Sequence, residues 1–234
     1  MKRILAAVVM LVFLTPPALA QQRLQGDPEA VARVELMLER LGGAEVWART
    51  RTLYMMYQGW RIDPDEPVIE EAWRDLAQPG EYIVFEGRSF KFERIFTRQA
   101  GWHVRNNEVR ELTAEQQRAG LDFWPRDFYT MIRRFAVADQ DLRLRFEAPR
   151  KVIVHDDNRN ELGWWVIDHT GQPMLWGSMY EDEKLEYVYL PVKDFGNVNF
   201  PAGGAAVDGF WRFVYTEVDV SIDPIPVSLE MPGK

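Results

Sequence analysis

The stretch GWWVIDHTGQPMLWGS, residues 163–178, constrains the fold more than any other. Val166 and Ile167 favour a strand, and Thr170-Gly171 with Pro173 close by favours a turn, so the stretch is predicted to be a β-hairpin. A strand points successive side chains to opposite faces. Trp164 and Val166 therefore face one way, and Trp165 and Ile167 the other. Both faces are bulky and apolar, whereas an antiparallel sheet usually buries one face and wets the other. Something must cover the second face. The same two-sided pattern returns in TLYMMYQGW (52–60), in EYIVFEG (81–87) and in the first half of GFWRFVYTEVDVSI (209–222).

Other strands are one-sided. In FKFERIF, Phe90, Phe92 and Phe96 share a face against Lys91 and Glu93. In DLRLRFEA, Leu142, Leu144 and Phe146 oppose Arg143 and Arg145. VIEEAWRDLA is a more polar strand, GWHVRNN is short, and KVIVHDD and KLEYVYL flank the hairpin. The tail DPIPVSLEMP carries prolines and cannot be a central strand. About ten antiparallel strands result.

Two amphipathic regions can supply the cover. DPEAVARVELMLERLGG is a helix with Asp27 as N-cap, Pro28 at the first position and Gly42-Gly43 as the stop. Its Val31, Val34, Leu38 and Leu41 form one stripe. AEVWART adds a short turn of helix. In mid-chain, Thr113 and Gln116 form a capping box, and Pro125 opens a further helix, PRDFYTMIRRFAVA. Phe128, Met131, Ile132 and Phe135 follow the i, i+3, i+4, i+7 pattern, with Arg133 and Arg134 outside that stripe, where they would meet water or, as the less favoured alternative, a lipid head group. The expected architecture is mainly β: a curved antiparallel half-barrel with a helical lid, in a single domain over residues 21–234.

Residues 1–20 read as a cleaved signal peptide. Lys2 and Arg3 precede the apolar run ILAAVVMLVFL, and ALA ends at Ala20 in a small-x-small pattern. The run is short for a membrane span, so no stable membrane anchor is expected and the chain reads as exported to a periplasm. It contains no cysteine, which excludes disulfides, cysteine-ligated zinc and thiol catalysis. The net charge of −8 argues against nucleic acid as a partner.

Chemical signatures are sparse. His155 and Asp157 could share a strand face but lack a third metal ligand. His169 sits beside Asp168, yet Ser178 lies in no G-x-S-x-G turn, so a hydrolase is the least favoured reading. The acidic turn DPDEP (63–67) has no calcium-loop spacing, and Gly203-Gly204 lie in no phosphate-binding context. No cofactor is implied. What abounds is aromatic: nine tryptophans and thirteen phenylalanines. These can fill a core or line a ligand cavity.

The run LGGAEVWARTRTLYMMYQGW, the hairpin GQPMLWGSMY and the close FGNVNFPAGGAAVDGFWRFVYTEVDVSIDPIPVSLEMP resemble, in element order, bacterial periplasmic proteins of the LolA-like superfamily, which includes LolB- and LppX-type carriers. The resemblance covers roughly residues 42–232. It implies a half-barrel with a helical lid and an apolar cavity for acyl chains, used in transport or chaperoning of lipid or in outer-membrane lipoprotein sorting. The expected ligand-binding set is Trp165, Ile167, Met174 and Trp176 on one hairpin face, Phe128, Met131, Ile132 and Phe135 on the lid, and Phe90 and Phe92. The parity of the hairpin loop decides the first group: a three-residue loop would bring Trp164 and Trp176 together instead. The expected function is non-catalytic binding of a hydrophobic molecule. The alternative is an envelope protein with a filled core that binds other proteins.

Overall fold

The computed structural model describes residues 23–61, 66–105 and 108–231. Residues 1–20, read from sequence as a signal peptide, and most of the DPDEP stretch lie outside these residues. Helices α1 (Pro28–Arg40) and α2 (Ala44–Arg49) lead into a meander of β1 (Thr52–Arg61), β2 (Glu66–Asp75), β3 (Gly80–Gly87), β4 (Lys91–Thr97), β5 (Gly101–Arg105) and β6 (Glu108–Glu111). Next come α3 (Ala114–Phe123), a 3-10 turn (Trp124–Arg126) and α4 (Phe128–Ala136). The second run holds β7 (Arg143–Glu147), β8 (Lys151–His155), β9 (Glu161–Ile167), β10 (Pro173–Tyr180), β11 (Glu183–Tyr189), β12 (Val192–Asp194), β13 (Asn199–Pro201), β14 (Gly203–Ala206) and β15 (Trp211–Ser221).

Thirteen of these strands form one sheet, in the order β6-β5-β4-β3-β2-β1-β15-β14-β11-β10-β9-β8-β7. Every neighbouring pair is antiparallel, and β1 pairs with the last strand, β15, so the two meanders join at the middle. The edge strands β6 and β7 do not pair with each other, so the sheet is not a closed barrel. The β7 edge is covered by the chain before α1: the Asp27 N–H donates to the Leu144 carbonyl at 2.8 Å, and the Leu144 N–H to Gln25 at 2.9 Å. That occupies groups which would otherwise template edge-to-edge association.

The curvature follows from what one helix touches. Gln117 Nε2 of α3 donates to the Thr97 carbonyl of β4 at 2.7 Å, while Phe123 meets Tyr180 of β10 edge-on at 5.2 Å. β4 and β10 stand seven strand steps apart in the sheet. Laid flat, that is about 34 Å at ~4.8 Å per strand, yet a ten-residue helix is only ~15 Å long. The sheet must curl around its lid. Its concave face is the trough, and α3, the 3-10 turn and α4 lie within it.

Local rules place the helices, with two corrections. The Thr113–Gln116 capping box forms, with reciprocal bonds of 3.2 and 3.0 Å. The next helix does not begin at Pro125. That proline lies in the 3-10 turn, and the Asp127 carboxylate caps α4 by accepting from the N–H groups of Tyr129 (2.7 Å) and Thr130 (2.9 Å). A cap carboxylate competes for the very N–H groups that a helix continuing through it would leave facing backward. Asp27 precedes α1 but does not cap it with its side chain; its Oδ2 accepts from the Phe146 N–H instead, tying α1 to β7.

Candidate functional site

The trough is filled at one end and open at the other. At the filled end, β9 and β10 pair so that Trp165 faces Trp176 and Ile167 faces Pro173. Trp165, Ile167 and Trp176 share the concave face and are buried, as the hairpin parity predicts. Met174 does not join them. It is the extra residue of a bulge between Pro173 and Leu175, and it is 42% exposed. A bulge inserts one unpaired residue and turns its side chain off the expected face.

The lid stripe lands as spaced: Phe128, Met131, Ile132 and Phe135 are all buried. The lid and the hairpin are in direct ring contact at Trp165, while Phe128 and Trp176 also border a small space of about 160 Å³. Phe128 stacks on Trp165 with centroids 4.8 Å apart and on Tyr189 at 4.4 Å, and it meets Phe200 edge-on at 5.9 Å. Phe135 meets Trp165 at 5.9 Å. Arg133 and Arg134 are not turned to water. Arg133 Nε donates to the Thr50 carbonyl at 2.9 Å, and Arg134 pairs with Asp139 at 2.7 Å and donates to the Pro125 carbonyl at 2.8 Å. They staple α4 at its sides.

The open end lies under β2–β5, toward β11 and β15. A cavity of about 360 Å³ is bounded by Tyr57, Glu70, Phe85, Phe92, His103 and Trp211, among others. Two smaller spaces, of about 160 and 230 Å³, adjoin it, and Arg74 borders all three. The first volume lies in the range of small-molecule sites. Phe92 thus lines open space, in ring contact with Phe85 (6.0 Å) and His103 (4.9 Å). Phe90 does not: it precedes β4 and sits where a Cβ on Gly87 would be, 2.7 Å from its ring.

Register explains why charge meets aromatic rings here. On β2, Val68, Glu70, Ala72 and Arg74 alternate onto the concave face, and Glu70 stands opposite Tyr57 of β1 and Phe85 of β3. Arg74 stands opposite Glu81, and the two pair at 2.9 Å. Arg74 also lies 3.6 Å from Asp127 and 4.9 Å over the Tyr129 ring. Arg94 Nε approaches Glu81 to 3.0 Å, out of hydrogen-bond alignment. Two guanidinium groups thus answer two carboxylates. Glu70 is the third carboxylate; it is 3% exposed and takes part in no ion pair among the described residues. It hydrogen-bonds the Tyr57 hydroxyl.

Burial raises the Glu70 carboxyl to about 8, against the opposing pull of Tyr57 and Arg74. Burial likewise raises Asp127 to about 6, with Arg74 working the other way. Burial lowers His103. At neutral pH the pocket therefore holds a protonated Glu70 and a neutral imidazole beside a charge-balanced cluster. Trp176 borders the 160 Å³ space, and its indole N–H has no hydrogen-bond partner among the described residues. This arrangement can hold an apolar body with a polar end.

Sequence reasoning passed over Glu70, Arg74, Glu81, Arg94 and Asp127. A polar β2 was expected, but not that Glu70 would be buried while its neighbour Ile69 is 49% exposed. The available signal was parity: Glu70 and Arg74 alternate with Val68 and Ala72, so one cannot be inside without the other.

Among the described residues no helix is long and apolar enough to cross a membrane. No protein-family model matches the chain, and no curated protein matches it by sequence. Among solved structures, the chain is similar to a DUF1329 family protein from Desulfovibrio piger, at 7% identity and TM-score 0.45, over 85% of this chain and 95% of that one. It is also similar to MucB, at 14% identity and TM-score 0.28, over 89% of this chain and 65% of that one.

Proposed function

We propose that residues 21–234 work as one half-barrel that binds a hydrophobic molecule in the open end of the trough and carries it through the periplasm without transforming it. The observation that carries this reading is the 360 Å³ cavity beneath the sheet, walled by Tyr57, Phe85, Phe92 and Trp211. The resemblance to LolA-like carriers supports the same reading and extends it to acyl chains of lipid or lipoprotein. Of the ligand-binding residues named from sequence, Phe92 is the one this reading keeps in direct contact. Trp165, Ile167, Phe128, Met131, Ile132 and Phe135 become the packed floor that holds the lid, and Trp176 borders the inner end. The test is organic extraction of the protein purified from a bacterial periplasm, with mass spectrometry of the extract, and uptake of a fluorescent acyl probe. A co-purifying amphiphile and saturable uptake support the reading; an empty extract and no uptake overturn it.

A second reading, binding of an envelope protein, is favoured by one observation. The convex face has an apolar groove of about 610 Å³ where Val188, Leu190 and Val214 are 43%, 45% and 52% exposed. Surfaces of this kind on soluble proteins mark interaction sites. Replacing Val188 and Val214 by Glu would abolish co-purification of such a partner and leave probe uptake unchanged.

A further inference from the structure

We infer that the open end of the trough selects a ligand with a single positive charge, an alkylammonium or quaternary ammonium group on an apolar body, held between Glu70 and the surrounding aromatic rings. The inference rests on the trough being a ligand site and adds the chemistry of the ligand's polar end.

Three observations carry it. The first is a charge count. The concave face gathers Arg74 and Arg94 against Glu81, Asp127 and Glu70. The first four satisfy one another through contacts of 2.9, 3.6 and 3.0 Å. Glu70 is left over, buried, with a phenol hydroxyl as its polar contact. A buried carboxylate without a counter-charge stays protonated. A monocation would complete the balance, whereas an anion would add to the excess of acid. The second is the wall. Tyr57, Phe85, Phe92, Tyr187 and Trp211 border the same cavity as Glu70. Aromatic faces attract desolvated cations, and rings enclosing a quaternary ammonium are a recurrent form of such sites. The third is position. Glu70 stands opposite Phe85 and borders the same cavity as Phe92, so a cation seated on it leaves its apolar body against those two rings.

The charge count also sets a pH dependence. Glu70 is faced by Tyr57 from β1, Arg74 from its own strand, Glu81 from β3, Arg94 from β4, His103 from β5, Tyr187 from β11 and Tyr129 from α4. The tyrosines are raised and stay neutral, and burial keeps His103 neutral near pH 7. Asp127 ionises near 6 and Glu70 near 8. Binding a cation must therefore expel one proton from Glu70 below that pH.

The experiment is calorimetric titration of the purified protein with decyltrimethylammonium, decyl sulfate and decanol, each below its micelle concentration. The charge of the cation does not titrate, so its pH profile reports the protein. The expected result is that the cation binds most tightly of the three. Its affinity should rise about tenfold from pH 6.5 to 7.5 and level off above about pH 8, with one proton released per cation bound. Glu70→Gln should remove that rise, because no carboxylate is then left to ionise on binding. A cation affinity that is flat with pH, or tighter binding of decyl sulfate, overturns the inference. Decanol binding with no preference for the cation also overturns it and leaves the trough as a neutral hydrophobic site. If none of the three binds, the trough is not a ligand site and both readings fall. The wild-type profile decides even if the variant does not fold.

Discussion

Truncating Phe128 to alanine separates a packed floor from a ligand surface. Phe128 is 2% exposed, and its ring stacks on Trp165 and Tyr189 and meets Trp176 and Phe200 edge-on. Three strands of the curled sheet, β9, β10 and β11, and β13 of the separate β12–β13 pair therefore converge on this one ring. Removing it deletes the transfer energy of a buried aromatic side chain and opens a cavity whose walls are held by separate strands and cannot close together. Phe→Ala changes of this kind cost ~3–5 kcal/mol. For a chain of this size, each kcal/mol lowers Tm by ~2–4 °C, so the melting point should fall by about 6–20 °C. Urea unfolding followed by tryptophan fluorescence and by circular dichroism gives the value, provided the two probes coincide. The control is Phe92→Ala. Phe92 is half-buried and lines the open cavity, so its loss should cost about 1–2 kcal/mol, close to the transfer term alone. Equal costs for the two variants, or a cost under about 1.5 kcal/mol for Phe128→Ala, would refute the division of the trough into a filled and an open end.

The raised carboxyls make stability fall as pH rises. Glu70 and Asp127 ionise at about 8 and 6 when folded, against ordinary values of 4.5 and 3.8, so the folded state holds protons that the unfolded chain has released. Their contribution is fully present below about pH 4 and is lost as pH climbs toward 8. Melting temperatures from pH 5 to 9 should show this decline, and Glu70→Gln should flatten it; parallel profiles for the two proteins would contradict the assignment. Asp127→Ala removes the α4 cap and one partner of Arg74 and should cost about 2 kcal/mol in chemical unfolding, whereas Asp127→Asn keeps the cap and should cost less. Gly171 has φ of +80°, and a Cβ there would stand 2.3 Å from the Leu36 carbonyl oxygen of α1. Gly171→Ala should therefore cost about 2–4 kcal/mol by thermal unfolding, and a neutral result would show that α1 can move away from the turn.

Much of the fold was legible because its signals are local. The capping box at Thr113, the stripe from Phe128 to Phe135 and the two-sided hairpin around Trp165 each predict their own element. Parity within a strand was legible only up to the next bulge. The extra Met174 turns that side chain outward. In β15 the register skips Thr216, so Trp211, Phe213 and Tyr215 face the trough at odd numbers while Val218 and Val220 face it at even ones. A bulge leaves no mark in apolar alternation when both faces are apolar, because either assignment then looks equally good.

The sequence by itself determined that a β-rich chain must fold a second apolar face under an inserted helical pair, because strands apolar on both sides cannot be left half-wet. Only the tertiary structure decided where that space is full and where it is open. Volume depends on which rings meet across the curled sheet, and Phe128 against Trp165 closes one end while β2 to β5 stand clear at the other. The structure alone also decided that Glu70, Arg74, Glu81, Arg94 and Asp127 share one buried cluster, since they come from three strands and a helix cap up to 57 positions apart in the chain. Alternation assigns a side chain to a face; curvature and register decide what it finds there.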